Sequence, residues 1–136
     1  MKKKTDSERD EEQAKAQVEA IVEYMQDIQV AEDADDEDGV NETRTYALDN
    51  VLSVQVRGDW RSPGHYGDGE CPIEFELLLC TGGPSVHIWG LLDDHCQPCD
   101  WKVQYSDWFK GWETYPVPTE QNKYVQAYCE LFYYGE

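Results

Sequence analysis

Cys96-Gln97-Pro98-Cys99 is the first pattern in this chain whose spacing could do chemistry. Two thiolates two residues apart in a turn can share one zinc ion, because the turn aims both sulfurs the same way. His95 adjoins the pair, and His65 and Cys71 are conceivable third and fourth ligands. A structural zinc site usually shows two such pairs, and this chain has one. A redox pair would open a helix after a strand, whereas this one precedes a strand pattern. Two turn cysteines without a metal are the plainer reading. No metal and no cofactor is expected, Cys96 and Cys99 being the pair that would anchor a metal if one bound. Cys80 and Cys129 fall on strand and helix patterns and read as core residues.

Other chemistries find less. An EF-hand loop needs acids or amides at its first, third and fifth positions, glycine at the sixth and glutamate at the twelfth. Placing Gly39 sixth puts Ala34 first and Thr45 last, and both fail. Gly82-Gly83-Pro84 lacks the lysine and the following helix of a phosphate loop. No serine, threonine or cysteine sits in a nucleophile-elbow context. His87 is a lone strand histidine, which reads as structural. Carboxylates are abundant enough that chance pairs carry no catalytic meaning, so the chain is not read as an enzyme. Trp101, Tyr105, Trp108, Phe109, Trp112 and Tyr115 crowd one stretch. Stacking platforms for single-stranded nucleic acid need a basic groove beside such aromatics, and the neighbours here are Asp100, Asp107 and Glu113. Core and rim packing is the expected role, with an aromatic protein anchor as the alternative.

Charge narrows the partner. The 136 residues hold 29 Asp and Glu against 11 Lys and Arg, a net charge of −18. Residues 1–42 carry 15 acids and 5 bases, and residues 43–136 carry 14 and 6, so both parts are acidic. Such a field repels phosphate backbones and anionic membranes. The expected partner is a basic protein surface, not nucleic acid and not a membrane. The plainer alternative is that the charge only keeps a small protein dispersed. Lys2-Lys3-Lys4 is followed by acids and not by the apolar run of a signal peptide, and no stretch of about 18 apolar residues could span a bilayer. Together with an odd five cysteines, this reads as reduced thiols in a cytoplasm.

The elements that would position these groups follow from periodicity. Ala14, Val18, Ile21, Val22, Met25 and Ile28 predict an amphipathic helix over 10–30, with Glu19, Glu23 and Asp27 along another face. The stripe is expected to dock on the core, a dimer contact being the alternative. Residues 31–42 hold seven acids and predict a mobile linker, followed by a short helical turn over 43–50. Leu52, Val54 and Val56 predict a first strand with those residues inward. Ile73, Phe75, Leu77 and Leu79 alternate with Glu74 and Glu76 in a second strand. Gly82-Gly83 turns the chain into a third strand, 85–92, and Trp101, Val103 and Tyr105 mark a fourth. Pro116 and Pro118 stop any strand. Thr119 can cap a closing helix with Tyr124, Val125, Tyr128, Leu131 and Phe132 on its apolar side and Gly135 as its stop. The fold class is α+β: a four-stranded antiparallel meander flanked by an N-terminal and a C-terminal helix. Residues 1–42 form a charged segment of helix and linker, and residues 43–136 form the α+β domain.

Leu78-Leu79-Cys80-Thr81-Gly82-Gly83-Pro84, Val86, Ile88, Gly90 and Leu92, Tyr105-Ser106-Asp107-Trp108, Trp112, Glu113 and the closing Phe132-Tyr133-Tyr134-Gly135-Glu136 resemble a family of small acidic proteins of bacteriophages and mobile elements. The resemblance covers about residues 50–136 and carries no assigned chemistry. It implies an inhibitor of host defence, anti-restriction or anti-CRISPR, working in the host cytoplasm. Such an inhibitor would occupy the basic nucleic-acid groove of a nuclease or CRISPR effector subunit. DNA-like mimicry needs carboxylates on a rigid surface. The candidates are Glu19, Glu23, Asp27, Glu32, Asp33, Asp35, Asp36, Glu37, Asp38, Glu74 and Glu76. A non-catalytic adaptor that oligomerises and a small protein binding zinc through the Cys96/Cys99 turn are the alternatives.

Overall fold

The stripe of Ala14, Val18, Ile21, Met25 and Ile28 buries one side of a long helix, α1, Asp6–Asp33, in the computed structural model. The structure describes residues 6–58, 73–81, 84–106 and 111–134. The Gly82-Gly83 turn, His65, Cys71, Trp108, Phe109 and the Gly135 stop lie outside those residues. At 28 residues α1 is about 42 Å long. It overruns the predicted 10–30 at both ends, because charged straight-chain residues are good helix formers even where no apolar residue marks them.

The acidic stretch is not a linker. Asp36 N–H donates to Ala31 O at 2.9 Å and Asp35 N–H to Glu32 O at 3.1 Å, the paired bonds of a Schellman cap. Asp35 takes the left-handed position, with φ of 54°. Asp36 then caps a second helix, α2, Glu37–Asp49, its Oδ1 accepting from Gly39 N–H at 3.0 Å. A Cβ at Gly39 would run into the Asp36 carboxylate, so a residue without one lets the cap close. Acidic Glu37 and Asp38 in the first turn suit the positive end of the helix dipole. α2 packs back along α1, with Ala47 buried and Tyr46 edge-on to Tyr24 at 5.5 Å.

The remaining elements make a five-stranded antiparallel meander in sequential order. Its strands are β1 Ser53–Arg57, β2 Glu74–Cys80, β3 Ser85–Leu92, β4 Pro98–Ser106 and β5 Glu113–Tyr115. A 3₁₀ turn, Thr119–Gln121, leads into α3, Asn122–Cys129. The fifth strand is the addition to the four expected. Its three residues pair Tyr115 with Val103 and Glu113 with Tyr105, too short a run to show a period of two. The antiparallel α+β architecture stands as read.

Alternation assigns the faces. Phe75, Leu77 and Leu79 of β2, Val86, Ile88 and Leu92 of β3, Val103 and Tyr105 of β4 and Tyr115 of β5 are buried in one cluster with the α1 stripe, Val125, Tyr128, Cys129 and Tyr134. Each fully buried aliphatic or aromatic side chain here contributes about 1.5–3 kcal/mol. Gln126 fixes α3 to β4: its Oε1 accepts from Trp101 Nε1 at 2.9 Å and its Nε2 donates to Pro98 O at 3.0 Å.

Leu52, Val54 and Val56 depart from expectation. Val54 and Val56 pair with Leu77 and Phe75, so they lie on the helical side of the sheet, yet all three are exposed. α1 packs on β3, β4 and β5, and α3 packs on β4. The strand has the inward period but sits at the edge beyond that cover.

Two substitutions test these readings. At Gly90 an added Cβ would meet the Asp100 carbonyl and come within 2.6 Å of the Phe75 ring. Gly90→Ala is expected to cost about 1–3 kcal/mol in denaturant unfolding. Asp35→Gly removes the strain of a left-handed non-glycine residue at the helix cap and is expected to raise stability by about 0.5–1 kcal/mol in the same measurement.

Candidate functional site

The face of the sheet opposite the helices is where polar side chains converge. Strand period puts Gln55 and Arg57 of β1, Glu74 and Glu76 of β2, His87 and Trp89 of β3 and Gln104 of β4 there, in register across the pairs Arg57–Glu74, Glu76–Trp89 and His87–Gln104. Together with Trp112, ahead of β5, they line a cavity of about 650 Å³.

Two carboxylates organise it. Glu74 is gripped by Arg57, with Nε 2.7 Å from Oε2 and Nη2 2.8 Å from Oε1. Trp89 Nε1 donates to the same carboxylate at 3.1 Å. Arg57, chiefly through these hydrogen bonds, holds the Glu74 carboxyl below its ordinary range and its own guanidinium above. Glu76 Oε2 lies 2.7 Å from Nδ1 of His87, whose Nε2 lies 2.8 Å from Gln104 Oε1. Both ring nitrogens are thus engaged, their donor and acceptor roles set by the tautomer and by which way the Gln104 amide is turned. His87 is only 4% exposed. The Trp112 indole covers it, stacked at 3.7 Å between centroids and 10° between planes, while itself 44% exposed.

With both imidazole nitrogens committed, His87 is an anchor and not a free base. Among the described residues no serine, threonine or cysteine lines this cavity. The arrangement of the described residues can bind.

The proposed carboxylates divide between two places. Glu19, Glu23 and Asp27 are exposed on α1, and Glu32, Asp33, Asp35, Asp36, Glu37 and Asp38 are exposed around the α1–α2 turn. Glu74 and Glu76 lie on the far side of the sheet, half-buried and already engaged. Helical hairpin and open face are therefore separate surfaces. His87, Trp89, Gln104, Arg57 and Trp112 were not foreseen as a site. The available signal was β-register: once Glu76 faces out, so do His87 one strand across and Gln104 two strands across.

The Cys96/Cys99 turn has another basis than metal. Asp93 Oδ1 accepts from His95 N–H at 2.8 Å and Gln97 N–H at 3.0 Å, and these bonds hold its carboxyl below the usual range. Cys96 closes the turn at φ 60° and is buried and disulfide-bonded, against the expectation of reduced thiols throughout. Cys99 is free and exposed, its thiol directed at Leu91 O at 3.5 Å. The two sulfurs do not form a ligand pair. Among the described residues no group of three or more metal-ligating side chains occurs.

Of the aromatic stretch, Tyr105 and Tyr115 belong to the core and Trp101 packs against it. Trp112 alone of the described members joins the open face. No helix among the described residues is long and apolar enough to cross a membrane.

Fold and site define the class: an α+β protein with one helix-covered sheet face, a polar face opposite that is open among the described residues, and an acidic helical hairpin. No protein-family model, no curated protein and no solved structure matches the chain.

Thiol reactivity checks the local environments. Burial raises the Cys129 thiol far above its ordinary value and the Cys80 thiol by less. In native protein at pH about 8, iodoacetamide is expected to modify Cys99 first, Cys80 slowly and Cys129 only after unfolding. Cys96 is expected to react only after a reductant is added, as read by peptide mass mapping.

Proposed function

We propose that this chain is a non-catalytic binding protein that docks its acidic helical hairpin onto a basic protein surface. The observation that carries this reading is the charge of residues 23–49. The segment holds ten Asp and Glu against Arg44 alone, and all ten acids are exposed. Capping by Asp35 and Asp36 makes the turn a fixed structure, so the carboxylates are presented with less conformational entropy left to lose on binding than on a mobile linker. Carboxylates at Glu19, Glu23 and Asp27 recur about every 6 Å along α1.

The surfaces that answer to such a charge array are those built for phosphate backbones. The partner we propose is therefore the nucleic-acid groove of a basic nuclease or CRISPR effector subunit. The resemblance to small acidic phage proteins supports the same reading, as an inhibitor of host defence in the host cytoplasm. Nucleic acid itself is repelled by a net charge of −18.

The test is competition. The immobilised chain is offered purified basic nuclease and CRISPR effector subunits, and bound protein is challenged with duplex DNA and with salt. DNA is expected to displace it, and raising salt from about 0.05 to 0.5 M to weaken it by several orders of magnitude. Glu23→Gln, Asp27→Asn, Glu32→Gln and Asp33→Asn combined are expected to weaken it at least about tenfold while leaving the unfolding midpoint nearly unchanged. Binding that survives half-molar salt and DNA would sink the electrostatic mechanism.

A further inference from the structure

We infer that the open-face cavity is a binding site for a guanidinium group, the side chain of an arginine carried on a peptide segment. The cavity lies on the opposite side of the sheet from α1, so this goes beyond the docking role proposed for the helical hairpin and needs none of its carboxylates.

The ligand class follows from the lining. Two indoles, Trp89 and Trp112, and two carboxylates, Glu74 and Glu76, face one space of about 650 Å³. Indole faces attract cations through the ring quadrupole, and carboxylates accept the forked N–H pair of a guanidinium. The structure already holds one such recognition. The Arg57 guanidinium sits bidentate on Glu74, while Trp89 donates to the same group. Glu76 is the second carboxylate and carries no such fork. Its Oε2 takes His87 Nδ1, its carboxylate lines the cavity, and among the described residues Oε1 has no hydrogen-bond partner.

Trp112 supplies the platform. One face of its indole lies on His87, which fixes the ring, and the side chain is 44% exposed, which leaves area for a planar cation. His87 is held from both ends by Glu76 and Gln104, so the platform is set before a ligand arrives. Preorganisation of this kind removes part of the ordering entropy of binding.

Charge and shape exclude the other classes. An anion would meet Glu74 and Glu76 inside a molecule of net charge −18. Lysine offers a compact ammonium that can neither fork on a carboxylate nor stack flat on an indole. The cavity exceeds what a bare guanidinium needs, which favours an arginine with its alkyl stem and adjoining backbone over a small guanidinium compound.

The probe is a capped Gly-Arg-Gly tripeptide, with matched Gly-Lys-Gly and Gly-citrulline-Gly, and methylguanidinium as the small-molecule control. Binding to the full chain is followed by calorimetry and by tryptophan emission. Saturable binding of the arginine peptide is expected, about tenfold or more tighter than citrulline, lysine or methylguanidinium. Glu76→Gln and Trp112→Ala are each expected to weaken it at least about fivefold, and Trp112→Phe to restore part of the loss. Thermal melts confirm that each variant folds. Equal binding of citrulline or methylguanidinium, indifference to Glu76→Gln, or no binding at millimolar peptide would each overturn the assignment. The hairpin variant neutralised at Glu23, Asp27, Glu32 and Asp33 is expected to bind the tripeptide like the parent. Loss of nuclease docking alone then tells against the hairpin reading and leaves the cavity intact.

Discussion

One antiparallel sheet has two faces, and here the α1 stripe and α3 cover only one of them. Everything else in the molecule depends on that asymmetry. Because strand side chains alternate, covering Phe75, Leu77, Ile88 and Val103 commits Glu74, Glu76, His87, Trp89 and Gln104 to the other side. A slip of one residue in β2 or β3 would send the carboxylates into the core and the phenylalanine into water. The apolar core thus fixes the polar site, and Phe75 belongs to the core while also lining the cavity.

The acidic half of the molecule obeys a different constraint. Ten carboxylates repel one another along α1 and α2, and such a run holds a shape only if backbone groups are satisfied locally. The Schellman bonds at Asp35 and Asp36 and the Asp36 cap on Gly39 do this, while Ala47 and Tyr46 give α2 a footing on α1. Acids also suit the first turn of α2, where they meet the helix dipole. Charge and capping act together at one point of the chain, which is how a stretch this acidic becomes a rigid surface.

Two acidic regions with different fates follow from this. On the hairpin the carboxylates are exposed, with Lys15 reaching Glu19 at 3.9 Å, and in net excess, suited to long-range attraction of a basic partner. On the open face they are half-buried and paired with Arg57 and His87, suited to short-range, geometrically exacting recognition. Steering and reading are separate tasks, and the fold puts them on opposite sides of the sheet.

The α1 stripe, the alternation of β2 to β4 and the antiparallel order were legible in the sequence, because each is set by local periodicity; of the closing helix only Tyr124, Val125 and Tyr128 were, since Leu131 and Phe132 lie past its end at Cys129 and Thr119 opens the 3₁₀ turn instead of capping it. What local pattern cannot carry was not. The first half of α2 was hidden because its cap uses aspartate where glycine would have marked the turn, and only its second half was read, as a short helical turn over 43–50. Strand β5 was hidden by its length, and the exposure of Leu52, Val54 and Val56 depends on where α1 ends its cover. The site was half visible: Glu74 and Glu76 could be named as acids, but their partners come from two other strands. Sequence by itself determined which faces were apolar and that the molecule is strongly acidic. Tertiary structure alone decided that His87 meets Glu76, Gln104 and Trp112 at once, because residues distant in the chain become neighbours only through strand register and packing.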